Sequence, residues 1–98
     1  MAAEVTGALA KDGCYDFLHE GVVIGRLLWI TRKCAEHPHR GWWLSIPGVA
    51  DELIYRVPDE LLADLPGARA RGESMSLGIA QHMLIDRVDG LLDGPPKP

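Results

Sequence analysis

The sequence has few of the residues that usually announce chemistry. It holds two cysteines, Cys14 and Cys34, a single phenylalanine, and aromatics at only 6% of 98 residues. Two cysteines are too few for a disulfide framework, so free thiols in a reducing, cytoplasmic setting are expected. No apolar run approaches the ~20 residues of a membrane span. The longest candidate, Val22 to Ile30, is interrupted by Arg26. The opening Met1-Ala2-Ala3-Glu4-Val5 lacks a basic segment followed by an apolar stretch, so no secretory signal is read. Phosphate-cradling glycine loops, an H-E-x-x-H pair and an EF-hand loop are all missing. There is no internal repeat.

What is present describes a globular chain. Apolar residues make up 47% and charged residues 24%, too apolar for disorder. At this length one modest core is the natural outcome. One α+β domain is read over residues 1–93, followed by a proline-rich tail at 94–98. Arginine outnumbers lysine seven to three, beside abundant alanine, glycine and leucine, a bias typical of GC-rich bacterial or phage coding sequence. The net charge is −4. Residues 1–49 hold five basic and five acidic side chains, and residues 50–98 hold five basic and nine acidic. All the net negative charge lies in the second half, which argues against a phosphate-tracking nucleic-acid binder.

The first ten residues are small and weakly patterned and read as a frayed end. Cys14 to Leu18 reads as a strand, His19-Glu20-Gly21 as a turn, and Val22 to Lys33 as a long second strand, together a β-hairpin. Both faces of that second strand are apolar near its middle, which places it centrally in a sheet. Gly25 within it points to a bulge or to another element packed close. Gly41 to Ile46 reads as a third strand, and a fold-back centred near residue 36 would bring Trp29 close to Trp43. Glu52 to Val57 reads as a fourth strand or an extended lead into Pro58. Pro58 followed by Asp59 and Glu60 opens a short helix to Leu65. A loop over 67–73 then precedes a second helix, capped by Ser74 or Ser76 and running to Asp89 or Asp93. Leu77, Ala80, Leu84, Val88 and Leu91 form its core-facing stripe. The expected fold is a three- or four-stranded antiparallel sheet with a short helix and a C-terminal helix on one face.

Four short motifs carry a resemblance. They are Tyr15-Asp16, Ile24-Gly25-Arg26, Trp42-Trp43-Leu44-Ser45-Ile46 and Ser76-Leu77. On these the chain resembles small bacterial and phage proteins of β-hairpin, strand, helix plan. The segment from Pro47 to Gly72 is longer and more acidic than that plan. The resemblance implies the fold and brings no activity with it.

Three constellations deserve weighing. The first is Cys34, His37 and His39, with Cys14 and His19 earlier. Cys34-x-x-His37 suits two ligands of one zinc ion, but a second pair at recognised spacing is missing, so no metal or other cofactor is expected. The same residues admit a thiol activated by an adjacent imidazole, without a familiar local signature around either cysteine; the alternative is a solvated loop with a free thiol. The second is acidic. Asp86, Asp89 and Asp93 fall on one helix face near its C-terminus, where the macrodipole disfavours negative charge by ~0.3–1 kcal/mol each. Either this is a solvated face, or it docks on a basic partner. Asp51, Glu52, Asp59, Glu60 and Asp64 make a further acidic group.

The third is aromatic. Trp42 and Trp43 are adjacent, so in a strand they point to opposite faces, and one is exposed unless a helix or loop covers it. An exposed tryptophan is a common interface anchor. Arg26, Arg32 and Arg40 lie in the same region, and arginine beside tryptophan stacks on nucleobases. The leading expectation is a non-enzymatic protein-binding module, of the kind represented by phage or mobile-element inhibitors such as anti-CRISPR proteins. It would use Asp86, Asp89, Asp93 and Trp42 or Trp43 against a protein with a basic surface. A homodimer through Ile79, Met83, Ile85 and Leu92 is also open. The alternative is a nucleic-acid-binding accessory protein using Arg26, Arg32, Arg40 and a tryptophan.

Overall fold

The computed structural model describes residues 4–92, with side chains to Gly90; Asp93 and the tail lie outside them. Five strands form one antiparallel sheet in sequence order. They are β1 (Thr6–Lys11), β2 (Cys14–His19), β3 (Val22–Ile30), β4 (Gly41–Ser45) and β5 (Glu52–Arg56). A 3₁₀ turn at Asp59–Leu61 leads to one helix, α1 (Leu65–Leu92).

The β2–β3 hairpin lies where the sequence placed it. His19 pairs with Val22 across a two-residue loop, Glu20-Gly21, and both loop residues have positive φ, 52° and 78°. That combination matches the right-handed twist of the flanking strands. β3 is the middle strand of the five. Gly25 marks both expected features: the β2–β3 register shifts opposite it, between Phe17 and Leu18, and an added Cβ would lie 3.0 Å from a Leu84 methyl.

The sheet has five strands where three or four were expected. The addition is β1, read from sequence as a frayed end. Its six residues are all exposed, so it carries no alternating pattern. It is held by backbone pairing to β2, and Gly7 leaves room for the Phe17 ring. β3 stops at Ile30, short of Lys33, and β5 stops at Arg56. The fold-back pairs Trp29 with Trp42, and Leu28 with Trp43, one residue away from the expected Trp29–Trp43 neighbours.

The helical half also departs from expectation. In place of a short helix over 58–65 there is the single 3₁₀ turn. α1 then begins at Leu65 and runs through Pro66, Gly67 and the whole segment expected as a loop. Asp64 starts it: the Gly67 N–H donates to Asp64 Oδ1 at 3.1 Å, and the Ala68 N–H to the Asp64 carbonyl at 3.0 Å. Pro66 falls in the first turn, where a missing N–H costs nothing. Ser74 and Ser76 are therefore interior to the helix, and neither caps it.

α1 lies on one face of the sheet with Ala68, Gly72, Ser76, Ala80, Leu84 and Val88 buried. The four small residues come first, and they let the helix sit close over the aromatic end of the sheet. A Cβ on Gly72 would lie 2.4 Å from the Tyr55 ring. Of the expected stripe, Ala80, Leu84 and Val88 are in the core and Leu77 packs beside it; the Leu91 side chain lies outside the described residues. The core joins these to Val5, Phe17, Leu27, Trp42 and Leu44. Trp42 is its largest member. Its indole N–H donates to the Arg69 carbonyl at 3.1 Å, and its ring lies 5.3 Å from Trp29 and 6.1 Å from Tyr15. No helix among the described residues is long and apolar enough to cross a membrane.

Candidate functional site

The face of the sheet opposite α1 is defined by register. Lys11, Cys14, Leu28, Trp43 and Leu53 pair in turn across all five strands. Paired residues point the same way, so four apolar side chains form a row on this face. The next row is Ala8, Asp16, Arg26 and Ser45. Arg26 Nε donates to Asp16 Oδ1 at 3.0 Å. Between the rows lies a groove of about 410 Å3, lined by residues that include Lys11, Cys14, Asp16, Arg26 and Leu28.

The β3–β4 loop folds over one end of this face. Cys34 and His37 exchange both backbone hydrogen bonds, at 3.0 and 3.2 Å. Ala35 and Glu36 thus become a two-residue tip, and the side chains on either side of it are drawn together. Cys34 Sγ lies 3.7 Å from His37 Nδ1. His37 Nε2 lies 2.6 Å from Asp51 Oδ2. The imidazole stands edge-on to the Trp43 ring at 4.9 Å, and the Trp43 indole N–H donates to the His39 carbonyl at 3.0 Å. The loop is thus pinned to the sheet by Trp43.

Electrostatics follow this geometry. The Asp51 carboxylate, hydrogen-bonded to the ring, raises the pKa of His37 above its ordinary value, with a smaller contribution from Cys34 against a burial cost. The Cys34 thiol is lowered, first by the His37 backbone N–H and then by the Glu36 backbone and the His37 ring. Because folding raises the His37 pKa, the stability it contributes is fully present below the unfolded value of about 6.5. That contribution is lost as pH rises through the folded value. Asp51→Asn should therefore lower the melting temperature more at pH 5.5 than at pH 8.5, read by thermal unfolding. An equal drop at both pH values would show that the pair does not titrate as described.

The other sequence candidates fare differently. Neither tryptophan is exposed: Trp42 is 0% and Trp43 5% accessible. The helix covers one and the loop covers the other, so an exposed indole anchor is ruled out. Asp86 is exposed on α1, and Asp89 is half-buried and engaged. Asp93 lies outside the described residues. Arg26 is paired with Asp16, Arg40 Nε donates to the Thr31 carbonyl at 2.7 Å, and Arg32 is exposed. Of the further acidic group, Asp51 holds His37 and Asp64 caps α1, so these carboxylates act separately. Among the described residues no three His, Cys, Asp or Glu side chains are arranged to hold a metal ion.

Sequence reasoning overlooked a polar cluster at the start of α1. Arg69 reaches Asp12 at 2.7 Å, and the Tyr15 hydroxyl donates to Glu73. Glu73 raises the Tyr15 pKa, and Arg69 lowers that of Asp12. These pairs span 57 and 58 residues in sequence, with no motif linking their members. They flank a shallow cavity of about 300 Å3 whose lining includes Trp29, Arg69 and Glu73. Both charged groups are already engaged within the chain. The fold thus defines an α+β protein with a five-stranded antiparallel sheet and one face free of helix. No family model, curated protein or solved structure matches the chain.

Proposed function

We propose that the protein is a small non-enzymatic binding module that engages a protein partner across the helix-free face of its sheet. The observation that supports this reading is the half-exposed pair Leu28 and Leu53, set in one row with Cys14 and Trp43, which are themselves buried. An antiparallel sheet with one solvated face normally alternates apolar-in and polar-out. Here the outer face has its own apolar row, beside a groove rimmed by Lys11, Asp16 and Arg26. An apolar centre within a polar rim is the composition of a protein interface.

The net charge of −4 favours a partner with a basic surface through long-range steering. In this reading Asp86 and Asp89 belong to that field, and the sheet face makes the contact. A phage or mobile-element inhibitor is the finer form of the proposal, and it rests on size and acidity. The nucleic-acid alternative has less support, because Arg26 and Arg40 are engaged within the chain and Trp42 and Trp43 are buried.

The test compares tagged wild type, Leu28→Glu and Asp86→Asn in pull-downs read by mass spectrometry, with circular dichroism to confirm folding. The expected result is a partner held by wild type and Asp86→Asn and lost from Leu28→Glu. The reverse pattern would move the contact to α1. A self-association lost in Leu28→Glu would make the partner a second copy of this chain.

A further inference from the structure

The loop that covers Trp43 carries a second feature that the docking reading does not use. A thiol, an imidazole and a carboxylate stand in line: Cys34 Sγ to His37 Nδ1 at 3.7 Å, and His37 Nε2 to Asp51 Oδ2 at 2.6 Å. Two independent constraints hold the line in place. The reciprocal backbone bonds between Cys34 and His37 fix the first two groups together. The edge contact with Trp43 fixes the plane of the ring. Cys34 is exposed while Cys14 is buried, so packing does not account for a thiol at position 34.

We propose that Cys34 is a nucleophilic thiol that undergoes exchange with low-molecular-weight disulfides, with His37 as its proton acceptor and Asp51 as a positioning residue. Asp51 accepts the Nε2–H of the neutral ring, which leaves the Nδ1 lone pair facing the thiol. Cys34 gives its proton to Nδ1. The thiolate attacks one sulfur of the disulfide R–S–S–R, forming Cys34–S–S–R as the original S–S bond breaks. The departing R–S⁻ takes the proton back from Nδ1. Cys34 is oxidised and half of the small disulfide is reduced, so the step balances with the disulfide as its only co-reactant. Such exchange asks for a thiol that can ionise and for open access; Cys34 is exposed beside the loop tip, with an imidazole 3.7 Å away to take its proton. Acyl transfer would also ask for preorganised oxyanion donors and a seat for the substrate.

The groups facing the ring are Asp51, Cys34 and the Trp43 indole. The lowered thiol pKa agrees with the geometry.

The test follows the reaction of the native full chain with 5,5′-dithiobis(2-nitrobenzoate), and then with oxidised glutathione, from pH 5 to 9. One fast equivalent is expected, abolished by Cys34→Ser and kept in Cys14→Ser, with Cys14 reacting only after denaturation. The pH midpoint of the fast phase should lie below that of the same thiol in urea. His37→Gln keeps the backbone bonds and should slow the reaction at pH 8, above the titration of the ring, by about three- to tenfold, moving the midpoint upward. Asp51→Asn should move it the same way by less. A native midpoint equal to that in urea, or a profile unmoved by His37→Gln, would overturn the proposal.

Discussion

Gly41→Ala should prevent the protein from folding stably. Gly41 has φ of +156°, and an added Cβ would sit 1.8 Å from the Tyr55 carbonyl oxygen and 2.9 Å from its carbon. Both atoms are backbone of the neighbouring strand, and no rotamer change relieves the overlap. β4 and β5 are locked on either side of it, with Gly41 paired to Arg56 and the Val57 N–H donating to the Arg40 carbonyl at 2.9 Å. The strands must part or shift register, and β5 carries Tyr55, on which α1 rests. The expected cost exceeds about 4 kcal/mol, against a total stability of roughly 5–15 kcal/mol for a domain. Urea unfolding followed by tryptophan fluorescence is the check. A midpoint within error of wild type would contradict this account of the β4–β5 edge.

Trp42→Ala should be nearly as damaging. The side chain is fully buried, and removing a core tryptophan costs roughly 3–5 kcal/mol. The Arg69 carbonyl loses its indole donor, and Trp29 and Tyr15 lose the ring they pack against. Trp42→Phe separates the two effects, since it keeps an aromatic ring and removes only the N–H. It should recover most of the loss, leaving a deficit of about 0.5–1.5 kcal/mol for the lost hydrogen bond, because the Arg69 carbonyl lies within α1 and keeps its helical donor. Equilibrium unfolding of both variants measures this. If the alanine variant lost less than the phenylalanine variant, the core assignment would fail.

The parts of this fold that were legible in sequence are those with a strong local signal. The β2–β3 hairpin was, because the turn His19-Glu20-Gly21 divides two runs rich in aromatic and β-branched residues. The central place of β3 was, because Leu27 and Leu28 are apolar on opposite faces. β1 was not, because Thr6, Gly7, Ala8 and Ala10 have little side chain to pattern, and its pairing is a backbone matter. The start of α1 was hidden by Pro66-Gly67, which reads as a stop. It became a first turn because Asp64 accepts from the Gly67 N–H. The length of the helix was hidden too, since its first buried contacts are Ala68, Gly72 and Ser76, residues a hydrophobic stripe does not announce.

The candidate site was legible to the same extent. Cys34 and His37 are three residues apart, and their pairing could be read from the loop. Asp51 could not, because only the return of the chain through β4 brings it to His37. The tryptophans were identified as opposite-facing, but what covers each depended on the loop and the helix, which sequence alone did not position.

The docking reading depends on which surface a partner touches, and site-specific photo-crosslinking measures that directly. Benzoylphenylalanine placed at Ser45 reports on the helix-free face, and at Ile79 on the outer side of α1. The account predicts a covalent adduct with the partner, or with a second copy of the chain, from position 45 and none from position 79. Adducts from position 79 alone would contradict it and return the interface to the helix.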